Sequence, residues 1–129
     1  MLKIQYRDAK DGGIEVLRCF SKEDQVEIPS EIEGKRVTKI GDYAFSAHNR
    51  KEDVAKVFLI GEDFLGSEDE PMFCGEAVKE VYLPSDTVEI GKYAFYGCVN
   101  LTILGFSDSL LRTGAGIFTG CKLQKIYYD

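Results

Sequence analysis

The chain has 129 residues and a mass of 14.5 kDa, with 44% apolar and 29% charged residues, so it holds one core and is not a disordered polypeptide. Sixteen Lys and Arg against 22 Asp and Glu leave a net charge of -6 and a pI near 4.9. The clustered basic residues that phosphate contacts require are missing, which excludes a duplex nucleic-acid partner.

Met1 to Asp8 is charged and lacks the apolar run of a signal peptide, and no stretch reaches the roughly 18–20 apolar residues of a membrane span. As written, the chain reads as cytoplasmic with no membrane insertion; removal of a leader would place it at the cell surface or outside. Ile4-Gln5-Tyr6 and Ile14-Glu15-Val16-Leu17, joined through Asp8 to Gly13, alternate like a β-hairpin. Residues 1–25 are therefore expected to form a lead-in hairpin that caps a region spanning 26–129, the two making a single domain.

Further along, Val26-Glu27-Ile28 reads as a very short strand stopped by Pro29. Val37 to Phe45 follows with the block Ile40-Gly41-Asp42-Tyr43-Ala44-Phe45, and Val54 to Leu59 shows the pattern apolar-x-x-apolar-x-apolar. Ile60 to Pro71 is crowded with Glu62, Asp63, Glu68, Asp69 and Glu70, and is expected to be the most irregular part of the chain. Met72-Phe73-Cys74-Gly75 is a worn copy of Ala94-Phe95-Tyr96-Gly97. The strand pattern then recurs at Val78 to Leu83, Leu101 to Phe106 and Leu123 to Tyr128, and Ile90 to Cys98 returns as Thr113 to Cys121 at an offset of 23 residues. Strands repeated at a fixed interval, each too short to stand alone, must stack as a parallel sheet.

The pattern Val37-Thr38-Lys39-Ile40-Gly41-Asp42-Tyr43-Ala44-Phe45, with Val81-Tyr82-Leu83-Pro84 and Ile90-Gly91-Lys92-Tyr93-Ala94-Phe95-Tyr96-Gly97-Cys98, closely resembles the BspA-type (treponemal-type) leucine-rich repeat over about residues 26–129. The resemblance implies a right-handed leucine-rich-repeat solenoid of about four repeats. Short parallel β-strands would form its concave face, with turns and short 3-10 or irregular segments on the convex face. It also implies a binding protein of a kind often found among bacterial surface adhesins. In each turn Ala94 and Phe95 would fill the wall opposite the strand, and Gly41, Gly91 and Gly114 would mark tight turns.

Cys98 and Cys121 share one repeat position, three residues after their Phe, where His48 and Glu76 follow Phe45 and Phe73. A Cys–His dyad would need hydrogen-bond reach, yet His48 would stand at least two turns from Cys98, about 10 Å at ~4.8 Å per strand. Buried, reduced thiols stacked turn on turn are expected instead, and no C-x-x-C pair exists. The acidic residues of 62–70 lack the spacing of a calcium loop, and Gly114-Ala115-Gly116 lacks a phosphate-loop continuation. No catalytic residue, metal or cofactor is expected.

The outward strand positions form two columns, Glu27-Phe58-Tyr82-Gly105-Tyr127 and Lys56-Glu80-Ile103-Lys125, with a notch at Gly105. Phe58, Tyr82, Tyr127, Lys56, Glu80, Ile103 and Lys125 are the candidate binding residues, since exposed aromatics are typical anchors. Lateral support between neighbouring rings explains the same pattern. The leading expectation is a non-enzymatic module that recognises an unknown protein or peptide on the concave sheet. The alternatives are a homodimer joined through the C-terminal turn, where Leu123 to Tyr128 is followed only by Asp129, and a glycan-binding surface on the aromatic column.

Overall fold

Apolar runs interrupted every few residues by Pro, Gly and charge form only short strands. The computed structural model describes residues 1–49, 54–61, 70–106, 109–123 and 125–128, with the backbone alone at Ile103, Tyr127 and Tyr128. Among these residues the strands are β1 (Leu2–Asp8), β2 (Ile14–Phe20), β3 (Gln25–Glu27), β4 (Glu31–Ile32), β5 (Lys35–Ile40), β6 (Lys56–Ile60), β7 (Glu80–Tyr82), β8 (Glu89–Ile90), β9 (Ile103–Phe106), β10 (Arg112–Thr113) and β11 (Lys125–Tyr128). Gly75–Ala77 forms a single 3-10 turn.

One sheet is entirely parallel, in the order β11-β9-β7-β3. Its register places Val26, Val81, Leu104 and Ile126 side by side, and the first three are at most 4% exposed. The second sheet runs β10-β8-β5-β2-β1-β6, with β4 paired to β5. Its members β2, β5, β8 and β10 are parallel and align Val16, Ile40 and Ile90, all fully buried, against the same core. The leucine-rich-repeat solenoid expected from the sequence is thus present. The side opposite the first sheet carries a second parallel ladder as well as turns, because Gly91 N–H donates to the Ile40 carbonyl and Gly114 N–H to that of Ile90.

The third wall of each turn is a β-turn closed by a hydrogen bond from residue i+3 to the carbonyl of Tyr43, Tyr93 or Gly116. Ala44, Phe45, Ala94 and Phe95 point inward from these turns and are fully buried. The Phe45 and Phe95 rings stack at 5.0 Å with 5° between planes, and Phe118 continues the row 6.2 Å beyond Phe95. Gly91 and Gly114 serve close approach of adjacent turns. A Cβ on Gly91 would strike Asp42, and one on Gly114 would lie 2.5 Å from the Lys92 Cα.

Two expectations require correction. The worn copy at Phe73 does not lie between the turns of Phe45 and Phe95. Phe73 stands on the other side of Phe45, edge to face at 6.0 Å, with its N–H on the Cys19 carbonyl. Strand β3 therefore pairs directly with β7, and the step from Phe45 to Phe95 is 27 residues longer than that from Phe95 to Phe118. Consequently Lys56 and Phe58 do not belong to the outward columns of the first sheet. Their strand β6 pairs antiparallel with β1 in the other sheet, with Phe58 opposite Ile4 and half-buried against the core. The reason is that a solenoid turn needs both walls. The segment after Leu59 has no Ile-Gly-x-Tyr-Ala block to close a core, so its strand joins the hairpin instead. The acidic stretch 62–69 lies outside the described residues.

The outer face of the second sheet is held by alternating charge. Arg7, Glu15, Lys39, Glu89 and Arg112 stand opposite one another across five strands, at 3.2, 3.9, 3.2 and 3.1 Å. Glu15 is only 6% exposed, so a slip of register would strand its carboxylate among apolar side chains.

Phe95 is packed between two rings and has no room to relax. Phe95→Ala should cost about 3–5 kcal/mol of stability in urea unfolding; a loss below ~1 kcal/mol would contradict this packing.

Candidate functional site

Strands β3, β7, β9 and β11 place two outward columns on the first sheet. One reads Gln25, Glu80, Ile103, Lys125 and the other Glu27, Tyr82, Gly105, Tyr127. Five of the seven residues expected at the site therefore share this face, with Gln25 where Lys56 was expected. The side chains of Ile103 and Tyr127 lie outside the described set. The notch expected at Gly105 is filled, since a Cβ there would meet the Tyr82 ring at 2.9 Å. Tyr82 lies across that glycine and donates its hydroxyl to Glu80 Oε1 at 2.8 Å. With Phe58 on the other sheet, the aromatic column of the glycan alternative loses one of its three rings from this face.

The thiols occupy repeated positions with repeated partners. Cys98 Sγ donates to the Phe45 carbonyl at 3.2 Å, and Cys121 Sγ donates to the Phe95 carbonyl at 3.0 Å. Cys19 and Cys98 are buried, Cys74 and Cys121 half-buried, and none of the four forms a disulfide. Burial pushes the thiols of Cys19 and Cys98 up to about 12, so both are protonated at neutral pH. His48 does not share the cysteine position and is not two turns away. Turn one stacks directly on turn two, and the exposed His48 ring packs against Tyr96 at 5.3 Å.

A second surface was not legible in the sequence. Tyr43 and Tyr93, read there only as members of the repeated block, stack at 5.3 Å, and Tyr96 stands perpendicular to Tyr93 at 5.7 Å. With His48 they border a groove of about 730 Å³ whose floor is Leu17, Arg18 and Asn49. Tyr43 and Tyr93 have φ of 57° and 55°, a left-handed conformation that costs a side-chain-bearing residue about 1–2 kcal/mol. The same position in the next turn is Gly116, at φ 64°. The only sequence signal was that Tyr43 and Tyr93 occupy a position which Gly fills in turn three.

The charged groups on the outer face of the second sheet are engaged with one another. A smaller groove of about 590 Å³ runs along the charge row from Arg7 to Arg112. Burial pushes the Glu89 carboxyl up, but hydrogen bonds and charge from Lys39 and Arg112 outweigh this and hold it below the usual carboxylate range. Among the described residues no group of three or more His, Cys, Asp or Glu is placed to hold a metal ion. No helix among them is long and apolar enough to cross a membrane.

This architecture, short parallel strands stacked turn on turn around an Ala-Phe wall, defines a leucine-rich-repeat protein. Residues 69–129 match the family described as BspA type leucine rich repeat region (6 copies), so that segment carries repeats of the BspA type. The fold is similar to that of the T. pallidum leucine rich repeat protein, at TM-score 0.66 and 24% identity over 91% of this chain. A leucine rich cell surface protein from Faecalibacterium prausnitzii A2-165 matches at TM-score 0.61 and 18% identity over 95% of this chain. The chain spans 42% and 30% of the length of those two proteins. No curated protein matches at the sequence level.

The protonated core thiols make stability fall in alkali. Above pH 9 the unfolded chain releases these protons while the folded chain retains them, so stability is full below pH 9 and is lost as pH rises towards 12. At pH 10 each of Cys19 and Cys98 should withdraw on the order of 1 kcal/mol. Urea midpoints at pH 7 and pH 10 check this, and Cys19→Ala with Cys98→Ala should flatten the difference; a difference that persists in the double variant would contradict it.

Proposed function

We propose that this chain is a non-enzymatic recognition module that binds a short protein segment across the outer face of β3-β7-β9-β11. The observation that carries the reading is the register, which brings Glu80, Tyr82 and Lys125 onto one side of a parallel ladder. Tyr82 is fixed by its bond to Glu80 and by the glycine beneath it, so its ring is held in place before a partner arrives. Aromatic and charged side chains set in this way are typical binding anchors. Four strands span only ~14 Å at the usual spacing. That width fits an extended segment of about four residues rather than a whole protein face of ~800 Å². The other sheet is less suited, because its outward charges already neutralise one another in the row from Arg7 to Arg112. A role as nucleophile suits neither Cys19 nor Cys98, since both are held protonated in the core.

Selection of binders from a random peptide library tests the reading. Selected peptides should lose at least about tenfold in affinity on Tyr82→Ala and on Lys125→Glu, as expected for central anchors. Peptides indifferent to both substitutions would overturn it.

A further inference from the structure

We infer that the groove bordered by Tyr43, Tyr93, Tyr96 and His48 is a binding site for a neutral oligosaccharide, separate from the sheet face. Three rings and an imidazole form one connected cluster, with centroids 5.3 to 5.7 Å apart, and all four are half-buried or exposed. The row of rings stops at Gly116, where a Cβ would strike the Tyr93 ring. Flat aromatic faces with polar rims match the C–H faces and hydroxyl edges of a pyranose.

The polar groups select among ligands. Unlike Tyr82, none of Tyr43, Tyr93 and Tyr96 makes a hydroxyl hydrogen bond among the described residues, so these hydroxyls remain free to donate and accept. Asp42 stands exposed at the rim and accepts one hydrogen bond, from the Lys92 N–H at 3.0 Å, which leaves carboxylate lone pairs for ligand donors. Sugar hydroxyls both donate and accept and so satisfy the carboxylate and the phenols together. A proline-rich peptide offers carbonyl acceptors, which Asp42 would repel. An anionic sugar would meet that same carboxylate on a chain of net charge -6.

The floor is built for rigidity. Arg18, 2% exposed, donates its Nε–H to Asn49 Oδ1 at 2.8 Å. Asn49 Nδ2 donates to the carbonyls of Leu17 at 3.0 Å and Tyr43 at 2.9 Å, so both amide donors of Asn49 are used as a strut that pins the strained Tyr43 backbone. Two tyrosines kept in a left-handed conformation, where the next turn uses glycine, point to a demand for the rings themselves. A volume of about 730 Å³ lies within the roughly 300–1,000 Å³ of small-molecule sites.

The chain has no Trp, and three of its seven Tyr border the groove, so tyrosine emission responds to binding there. Cellohexaose, xylohexaose, mannohexaose and chitohexaose are titrated to about 10 mM, a range suited to millimolar affinity, with emission and amide NMR shifts as readouts. At least one should saturate and move the amide signals of Tyr93 and Tyr96. Tyr43→Gly with Tyr93→Gly keeps the backbone conformation that Gly116 adopts, and should weaken binding at least about tenfold with the folded NMR spectrum retained. If that variant does not fold, His48→Ala, at an exposed ring, should still lower affinity measurably. Tyr82→Ala should leave saccharide binding unchanged, which separates this site from the sheet face. Absence of saturable binding to all four saccharides would overturn the inference. So would binding unaffected by the ring substitutions, or a polyproline peptide saturating the groove where the saccharides do not.

Discussion

A row of phenylalanine rings, Phe73, Phe45, Phe95 and Phe118, runs through the core with successive centroids 5.0 to 6.2 Å apart. Each ring sets the height of its turn, and stacking of this kind is worth about 0.5–1.5 kcal/mol per pair beyond the apolar area it buries. Other features follow from that spacing. A fully buried alanine precedes Phe45 and Phe95, and glycine must stand at 91 and 114 where the turns touch. The thiols of Cys98 and Cys121 each reach the carbonyl of the Phe in the neighbouring turn, tying the turns together a second time.

The stack also determines what the two sheets present to solvent. Both place one aligned apolar column inward, yet their outer faces differ. On the second sheet the row from Arg7 to Arg112 pairs each charge with its neighbour, which fixes register and leaves little unpaired charge to recognise anything else. On the first sheet the outward columns hold a tyrosine across a glycine, with Glu80 beside it and Lys125 two strands away. The third wall presents the tyrosine groove, produced because a position that the backbone would give to glycine is given to Tyr43 and Tyr93. One repeated core thus presents surfaces of different chemistry on different sides.

Much of this was legible in the sequence, because residues separated by one period occupy equivalent places and must obey equivalent constraints. Ala94-Phe95 as the wall and the columns through Tyr82 and Glu80 follow from alignment of the repeats alone. What was not legible concerns the order of turns in space. Val54 to Leu59 satisfies the strand pattern, and only the missing packing block after it decides that β6 joins β1. Phe73 has the right neighbours in sequence but reaches the far side of Phe45, since the N-terminal face of that ring needs a partner and the Cys19 carbonyl is there to receive its N–H. The groove was hidden because Tyr43 and Tyr93 entered the sequence reading only as members of the repeated block, and their left-handed backbone shows only in three dimensions.

The central claim is that the turn of Phe45 lies directly on the turn of Phe95, with Phe73 outside them. Double-mutant cycles with Phe→Leu substitutions test it most directly, because coupling requires contact. The account predicts coupling of about 0.5–1.5 kcal/mol for Phe45 with Phe95 and for Phe45 with Phe73. It predicts none beyond ~0.3–0.5 kcal/mol for Phe73 with Phe95. Strong coupling between Phe73 and Phe95, with none between Phe45 and Phe95, would restore the order of the sequence and contradict the account.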